Sequence, residues 1–174
     1  MRTSLFTLLC LAAVPATAHA NKKPMNLTVT STAFTANEAI PTEFTCEGAE
    51  NTPPITWSEV PKETKSVALL VEDPDAPKGT FTHWLVTDLP VTATSLAADA
   101  QIPQGAVAAK NDKGATGYTG PCPPSGTHHY HFHVYALDKE IGPQQSQSDF
   151  LSAIRGHVLA EGDLIATYEK SKKK

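Results

Sequence analysis

Three clusters of residues in this sequence have types and spacings that suit chemistry. The first is Asp73-Pro74-Asp75-Ala76-Pro77, two carboxylates on a proline-stiffened turn. In isolation it reads as a rigid turn and nothing more. The second is Thr82-His83-Trp84. In an extended segment His83 and Trp84 leave on opposite sides, and a lone histidine there is more often structural than chemical. The third is Gly120-Pro121-Cys122-Pro123-Pro124-Ser125-Gly126-Thr127-His128-His129-Tyr130. Prolines keep this loop from collapsing, glycines offer backbone N–H groups, and His128 and Tyr130 add donors, which together suit an anion. An acid beside His83 favours its imidazolium, and that charge attracts a phosphate or carboxylate. Nearby acids keep such a pocket from being strongly basic, so affinity for a simple anion is expected to be weak. No activated nucleophile stands out.

Two enzymatic readings compete. His129, His131 and His133 alternate, so they share one face of a strand, and a His-x-His pair on a strand can ligate zinc. No cysteine or acid cluster completes that site in the sequence, so the three are read as packed or solvated and no metal is assigned. The other reading is a serine hydrolase using Ser125 with His128 or His83 and Asp73. Ser125 lies between Pro124 and Gly126, not in the Gly-x-Ser-x-Gly turn that exposes a nucleophile. A non-enzymatic role without a cofactor is the expectation.

These residues must be placed by short elements, because fourteen prolines and ten glycines punctuate the chain. That pattern predicts an all-β fold with long loops. Leu27–Ser31 reads as a first strand, and 44–54 as loop. Ser66–Val71 is a short apolar run, the signature of a strand buried on both faces. It stops where Pro74 and Pro77 forbid further pairing. Phe81–Thr87 resumes as strand, 101–127 is a long ordered excursion, and Tyr130–Leu137 alternates strongly. Ser148 is placed as a helix cap before Phe150, Leu151, Ile154 and Val158, which recur at helical spacing. Leu164–Tyr168 closes the chain as a strand.

Taken in order, several motifs resemble the phosphatidylethanolamine-binding proteins, in particular their bacterial Raf-kinase-inhibitor-like branch. They are Thr45-Cys46-Glu47-Gly48, Pro53-Pro54-Ile55-Thr56-Trp57, Asp73 to Pro77, His83-Trp84, Gly117 to Pro124, Tyr135-Ala136-Leu137-Asp138 and Gly156 to Ala160. The resemblance implies two antiparallel sheets in a β-sandwich with one short C-terminal helix. It implies a small surface cavity for phosphate-like anions, formed by Asp73, Asp75, Pro77, His83, Gly120, Pro121, His128 and Tyr130. The implied ligand is a small anion such as a phosphate ester. The resemblance also allows a protein partner, as in protease or kinase inhibition, and a homodimer. Cys122, set within Pro121-Cys122-Pro123-Pro124, follows the bacterial branch.

The whole chain sets the remaining bounds. Arg2, the uncharged apolar run from Ser4 to Pro15, and Ala18-His19-Ala20 form a secretory signal peptide over residues 1–20. The run is too short to span a bilayer, which takes about 20 residues. Leu9 before Cys10 argues against lipidation. Residues 21–174 then form one domain, periplasmic or secreted. Cleavage shifts the formal net charge from −4 to −5 by removing Arg2. A mildly acidic protein suits nucleic acid poorly, and the lysines at 170 and 172–174 read as a solvated end. Cys10 leaves with the signal peptide, so Cys46 and Cys122 are the one intramolecular pair left, expected to be a disulfide in an oxidising compartment.

Overall fold

The computed structural model describes residues 23–99 and 101–171. The signal-peptide segment 1–20 and the lysines 172–174 lie outside the described residues. The elements are β1 (Met25–Asn26), β2 (Val29–Thr30), β3 (Ile55–Trp57), β4 (Ser66–Asp73), β5 (Phe81–Leu89), β6 (Ser95–Leu96), β7 (Val107–Ala108), β8 (Thr127–Leu137), α1 (Gln147–Ile154) and β9 (Val158–Glu169). A six-stranded sheet runs β1-β9-β8-β4-β5-β7, and a three-stranded sheet runs β2-β3-β6. Pairing is antiparallel except between β1 and β9. The fold is mainly β with one short α-helix, as the proline-punctuated sequence predicts.

The apolar run of β4 is explained by its position. It lies between β8 and β5, and both of its faces are covered. Val67, Leu69 and Val71 join Trp84, Phe132 and Val134 in the core between the sheets. Ala68 and Leu70 face the other way, under Phe150 and Ile154 of α1. The alternation of β8 sorts its residues likewise. His128, Tyr130, Phe132, Val134 and Ala136 are buried, while His129, His131, His133 and Tyr135 keep partial or full exposure.

Three element expectations are corrected. The expected first strand, Leu27–Ser31, shortens to β2 in the small sheet, and a separate β1 before it pairs with β9. The change of sheet is tight, because a Cβ at Gly162 would collide with the Leu27 carbonyl. The last strand begins at Val158 instead of Leu164, since Glu161, Gly162 and Asp163 disguise its first half yet still pair with β8. The helix cap is Ser146, not Ser148. Ser146 Oγ accepts from the Asp149 N–H at 3.1 Å and donates to Asp149 Oδ2 at 2.9 Å. The carboxylate belongs at the third helical position, and only Ser146 stands three residues before it.

Candidate functional site

The site lies at the end of the large sheet where β4 stops, β5 starts and β8 starts. Asp73 pairs in register with Phe81, and the chain from Ala109 to Gly126 closes over the same end. That excursion is bonded to β5 as an edge strand would be. The N–H of Asp112 donates to the Thr82 carbonyl and that of Thr119 to the His83 carbonyl. Asn111, buried, braces the turn with bonds to Lys113, Ala115 and Gly117. A surface cavity of about 200 Å³ results. Sites for drug-sized ligands hold about 300–1,000 Å³, so this one suits a small group.

Asp73, Pro77, His83, Gly120 and His128, all expected from the sequence, line the cavity. Their bonding differs from expectation. Asp73 Oδ2 accepts from His128 Nδ1 at 2.7 Å, and Asp73 Oδ1 accepts from the Asp75 N–H at 2.8 Å. Asp73 therefore holds His128 rather than His83. His83 Nδ1 donates to the Thr119 carbonyl at 2.7 Å; a carbonyl only accepts, so this nitrogen carries the proton. The ring is packed between Phe81, at 4.8 Å, and Tyr130, at 5.2 Å. Burial pulls the His83 pKa below the ordinary histidine value, against the Thr119 carbonyl and the Asp73 charge that favour its cation. The expected imidazolium at His83 gives way to a neutral ring, because desolvation outweighs its partners.

Three expected residues are not in the cavity wall. Asp75 Oδ2 accepts from the His129 backbone N–H at 2.9 Å and from His129 Nδ1 at 2.7 Å. These bonds hold the Asp75 carboxyl below its usual range and tie the turn to β8. Pro121 turns its carbonyl to the Cys46 N–H. Tyr130 is fully buried behind His83, and its hydroxyl has no hydrogen-bond partner. Burial first, then the Asp73 charge, raises the pKa of that hydroxyl. The Gly120 N–H, expected to be free for an anion, donates to Glu50 Oε2 at 3.0 Å. That bond keeps Glu50 below the usual carboxylate range. Gly120 itself is required, since a Cβ there would stand 2.8 Å from Thr45 Cα. Cys46 and Cys122 form a disulfide, and Cys122 is part of the wall.

Other wall residues were not assigned to it from the sequence: Ala76, Pro123 and Pro124 lie inside the clusters named there, Phe81 and Lys113 outside them. Lys113 matters most, as it brings a cation to the site. Its Nζ lies 3.7 Å from Glu50 Oε1 and its side chain is half exposed. Asn111-Asp112-Lys113-Gly114 is legible as a turn, but nothing in it says which histidine the turn reaches. Ser125 is exposed and outside the wall. On the opposite face of β8, the expectation that no acid accompanies the histidines does not hold. Asp163 Oδ2 is 2.8 Å from His131 Nδ1, whereas His129 is taken by Asp75.

Residues 30–169 match the family model described as phosphatidylethanolamine-binding protein. The chain belongs to the phosphatidylethanolamine-binding protein family. A UPF0098 protein of Methanothermobacter thermautotrophicus is 44% identical over 144 residues, covering 79% of this chain and 95% of the relative. A UPF0098 protein of Chlamydia trachomatis is 40% identical over 149 residues, covering 82% of this chain and 98% of the relative. Two crystal structures show the same family fold. One is a phosphatidylethanolamine-binding protein homologue of Chlamydia trachomatis, with a TM-score of 0.79 at 39% identity over 84% of this chain and 99% of that one. The other is Escherichia coli YbcL, with a TM-score of 0.77 at 35% identity over 84% of this chain and 99% of that one. The cavity at the Asp73–His128 end of the sheet lies within the stretch that matches the family model.

Proposed function

We propose that this phosphatidylethanolamine-binding protein family member is an exported binding protein for a small phosphate-like anion, such as a phosphate ester, held at the Asp73–His83–His128 cavity. The observation that carries the reading is the meeting of two imidazoles, from β5 and β8, with the Lys113 ammonium in one small wall. Each ring has Nδ1 committed, to Thr119 or to Asp73, so Nε2 is the nitrogen left for a ligand. Each Asp73 oxygen accepts a bond, from His128 and from the Asp75 N–H, which blunts its repulsion of an anion.

Export rests on the signal-peptide pattern of residues 1–20, and the Cys46–Cys122 disulfide suits an oxidising compartment. Among the described residues no helix is long and apolar enough to cross a membrane. Calorimetric titration with a phosphate monoester tests the binding. His83→Ala is expected to lose about 1.5–3 kcal/mol, the worth of a hydrogen bond to a charged group. Equal affinity in wild type and His83→Ala refutes the site.

A further inference from the structure

The large sheet has a second polar cluster, on the face of β8 opposite Tyr130 and Phe132. His131 and His133 stand two residues apart, so both side chains leave this face. Cross-strand register places Asp163 of β9 opposite His133 and Glu72 of β4 opposite His131. The polar atoms converge on one carboxylate. His131 Nδ1 is 2.8 Å from Asp163 Oδ2, and His133 Nδ1 is 3.6 Å from Asp163 Oδ1. On its far side, His133 Nε2 lies 3.4 Å from Glu72 Oε1. The two rings are stacked, with centroids 5.4 Å apart.

We propose that His131, His133 and Asp163 form a binding site for a divalent transition-metal ion, zinc first among them, with Glu72 holding the His133 ring in place. The set differs from the three alternating histidines weighed in the sequence, because β9 supplies the acid and His129 is excluded.

Geometry is the first argument. Ligand atoms at 2.0–2.1 Å from a tetrahedral zinc stand about 3.4 Å from one another. His133 Nδ1 at 3.6 Å from Asp163 Oδ1 is close to that value, the 2.8 Å His131–Asp163 hydrogen bond is one whose proton the metal would replace, and one ligand atom from each of the three residues falls within a 4.8 Å span. With Nδ1 on the metal, the proton of His133 sits on Nε2, where Glu72 accepts it. Metal-bound histidines are commonly oriented by such a carboxylate. Glu72 is itself held by Gln147 of α1.

Charge is the second argument. Asp163, Glu72 and Glu161 put three carboxylates around the two rings. Among the described residues the only lysine or arginine ion pair is Lys113–Glu50, so no paired lysine or arginine neutralises this patch. Two imidazoles with one carboxylate favour zinc or copper over magnesium or calcium, which prefer oxygen donors alone. Three protein ligands leave a fourth position for water or a small ligand. A cleft between His133, Asp163 and Glu161 opens beside it.

The test uses mature protein without a polyhistidine tag, stripped by chelator and titrated with zinc alone by calorimetry. Wild type is expected to bind one equivalent. His131→Ala and Asp163→Asn should each lose more than about 100-fold in affinity, and Glu72→Gln about 10–100-fold. His83→Ala and His129→Ala should bind as wild type does. With copper, the paramagnetic spectrum should show coupling to two imidazole nitrogens and lose one in His131→Ala. Asp163→Asn keeps the side-chain volume, so it decides the matter if His131→Ala folds poorly. Absence of stoichiometric zinc binding at millimolar metal overturns the proposal. So does wild-type affinity in Asp163→Asn, or a loss in His83→Ala that moves the metal to the cavity.

Discussion

At His83 two forces oppose each other: burial disfavours the cation, while the Thr119 carbonyl and the Asp73 charge favour it, and burial prevails. The free site therefore presents a neutral ring with Nδ1 protonated and Nε2 bare. An anion reaches that nitrogen only with a proton between them, carried by His83 or by the ligand's own acidic oxygen. A phosphate monoester has its second pKa near 6, about the same range. The complex thus takes up a proton that the separate partners lack at pH 8. Affinity should rise as pH falls from 8 toward 6, and level off once pH drops below the lowered His83 pKa. Titration at several pH values, with a weaker pH dependence expected in His83→Ala, checks this; wild-type affinity independent of pH contradicts it. Tyr130→Phe isolates the second residue. Without a ligand the hydroxyl has no partner, so removing it should leave stability unchanged or slightly raised. Thermal melts read that outcome, and because Tyr130 lies behind the wall the variant should bind the anion as wild type does.

Among the elements, the excursion from Ala109 to Gly126 decides whether the two histidines share a cavity. At Gly120 its backbone packs tightly against Thr45. Gly120→Ala should destabilise the protein by about 1–3 kcal/mol through overpacking and weaken the ligand with it, as urea unfolding and titration would report. Removing the disulfide by Cys46→Ser and Cys122→Ser frees a loop spanning a sequence separation of 76. In the chain-entropy model this costs about 4.5 kcal/mol, visible as a lower urea midpoint. The strands around this loop were legible in the sequence for physical reasons. Ser66–Val71 is apolar on both faces because both are covered, and Tyr130–Leu137 alternates because its faces differ. The first half of β9 was not legible, since Glu161, Gly162 and Asp163 satisfy strand pairing without looking like a strand. The site followed the same division. Asp73, His83 and His128 were identifiable by type and motif. Their partners were not, because whether Asp73 meets His83 or His128 is set by the register of β4 against β8. Lys113 and Glu50 were invisible for a related reason: loops bring them in, and turn chemistry records shape without destination.

For the whole molecule, the signal-peptide reading makes a direct prediction. Protein recovered from the exported fraction should begin at Asn21, as N-terminal sequencing would show, with Cys46 and Cys122 resistant to thiol alkylation. An intact Met1, or two reactive thiols, contradicts the exported reading. The position of β4 has a further consequence, for the order in which the fold comes apart. This strand is bonded along both edges and covered on both faces, so its amides can meet solvent only when both cores open together. The cavity wall is attached by fewer backbone bonds, those of Asp112 and Thr119 to β5 and of Gly120 to Glu50, beside the Cys46–Cys122 disulfide. Deuterium should therefore enter the molecule in two tiers: early at Asp112, Thr119 and Gly120 by local opening, and at Leu69 and Leu70 only at the rate of global unfolding. A bound anion joins this wall to β5 and β8. It should slow the first tier strongly and shift the second only by the ligand's overall contribution to stability.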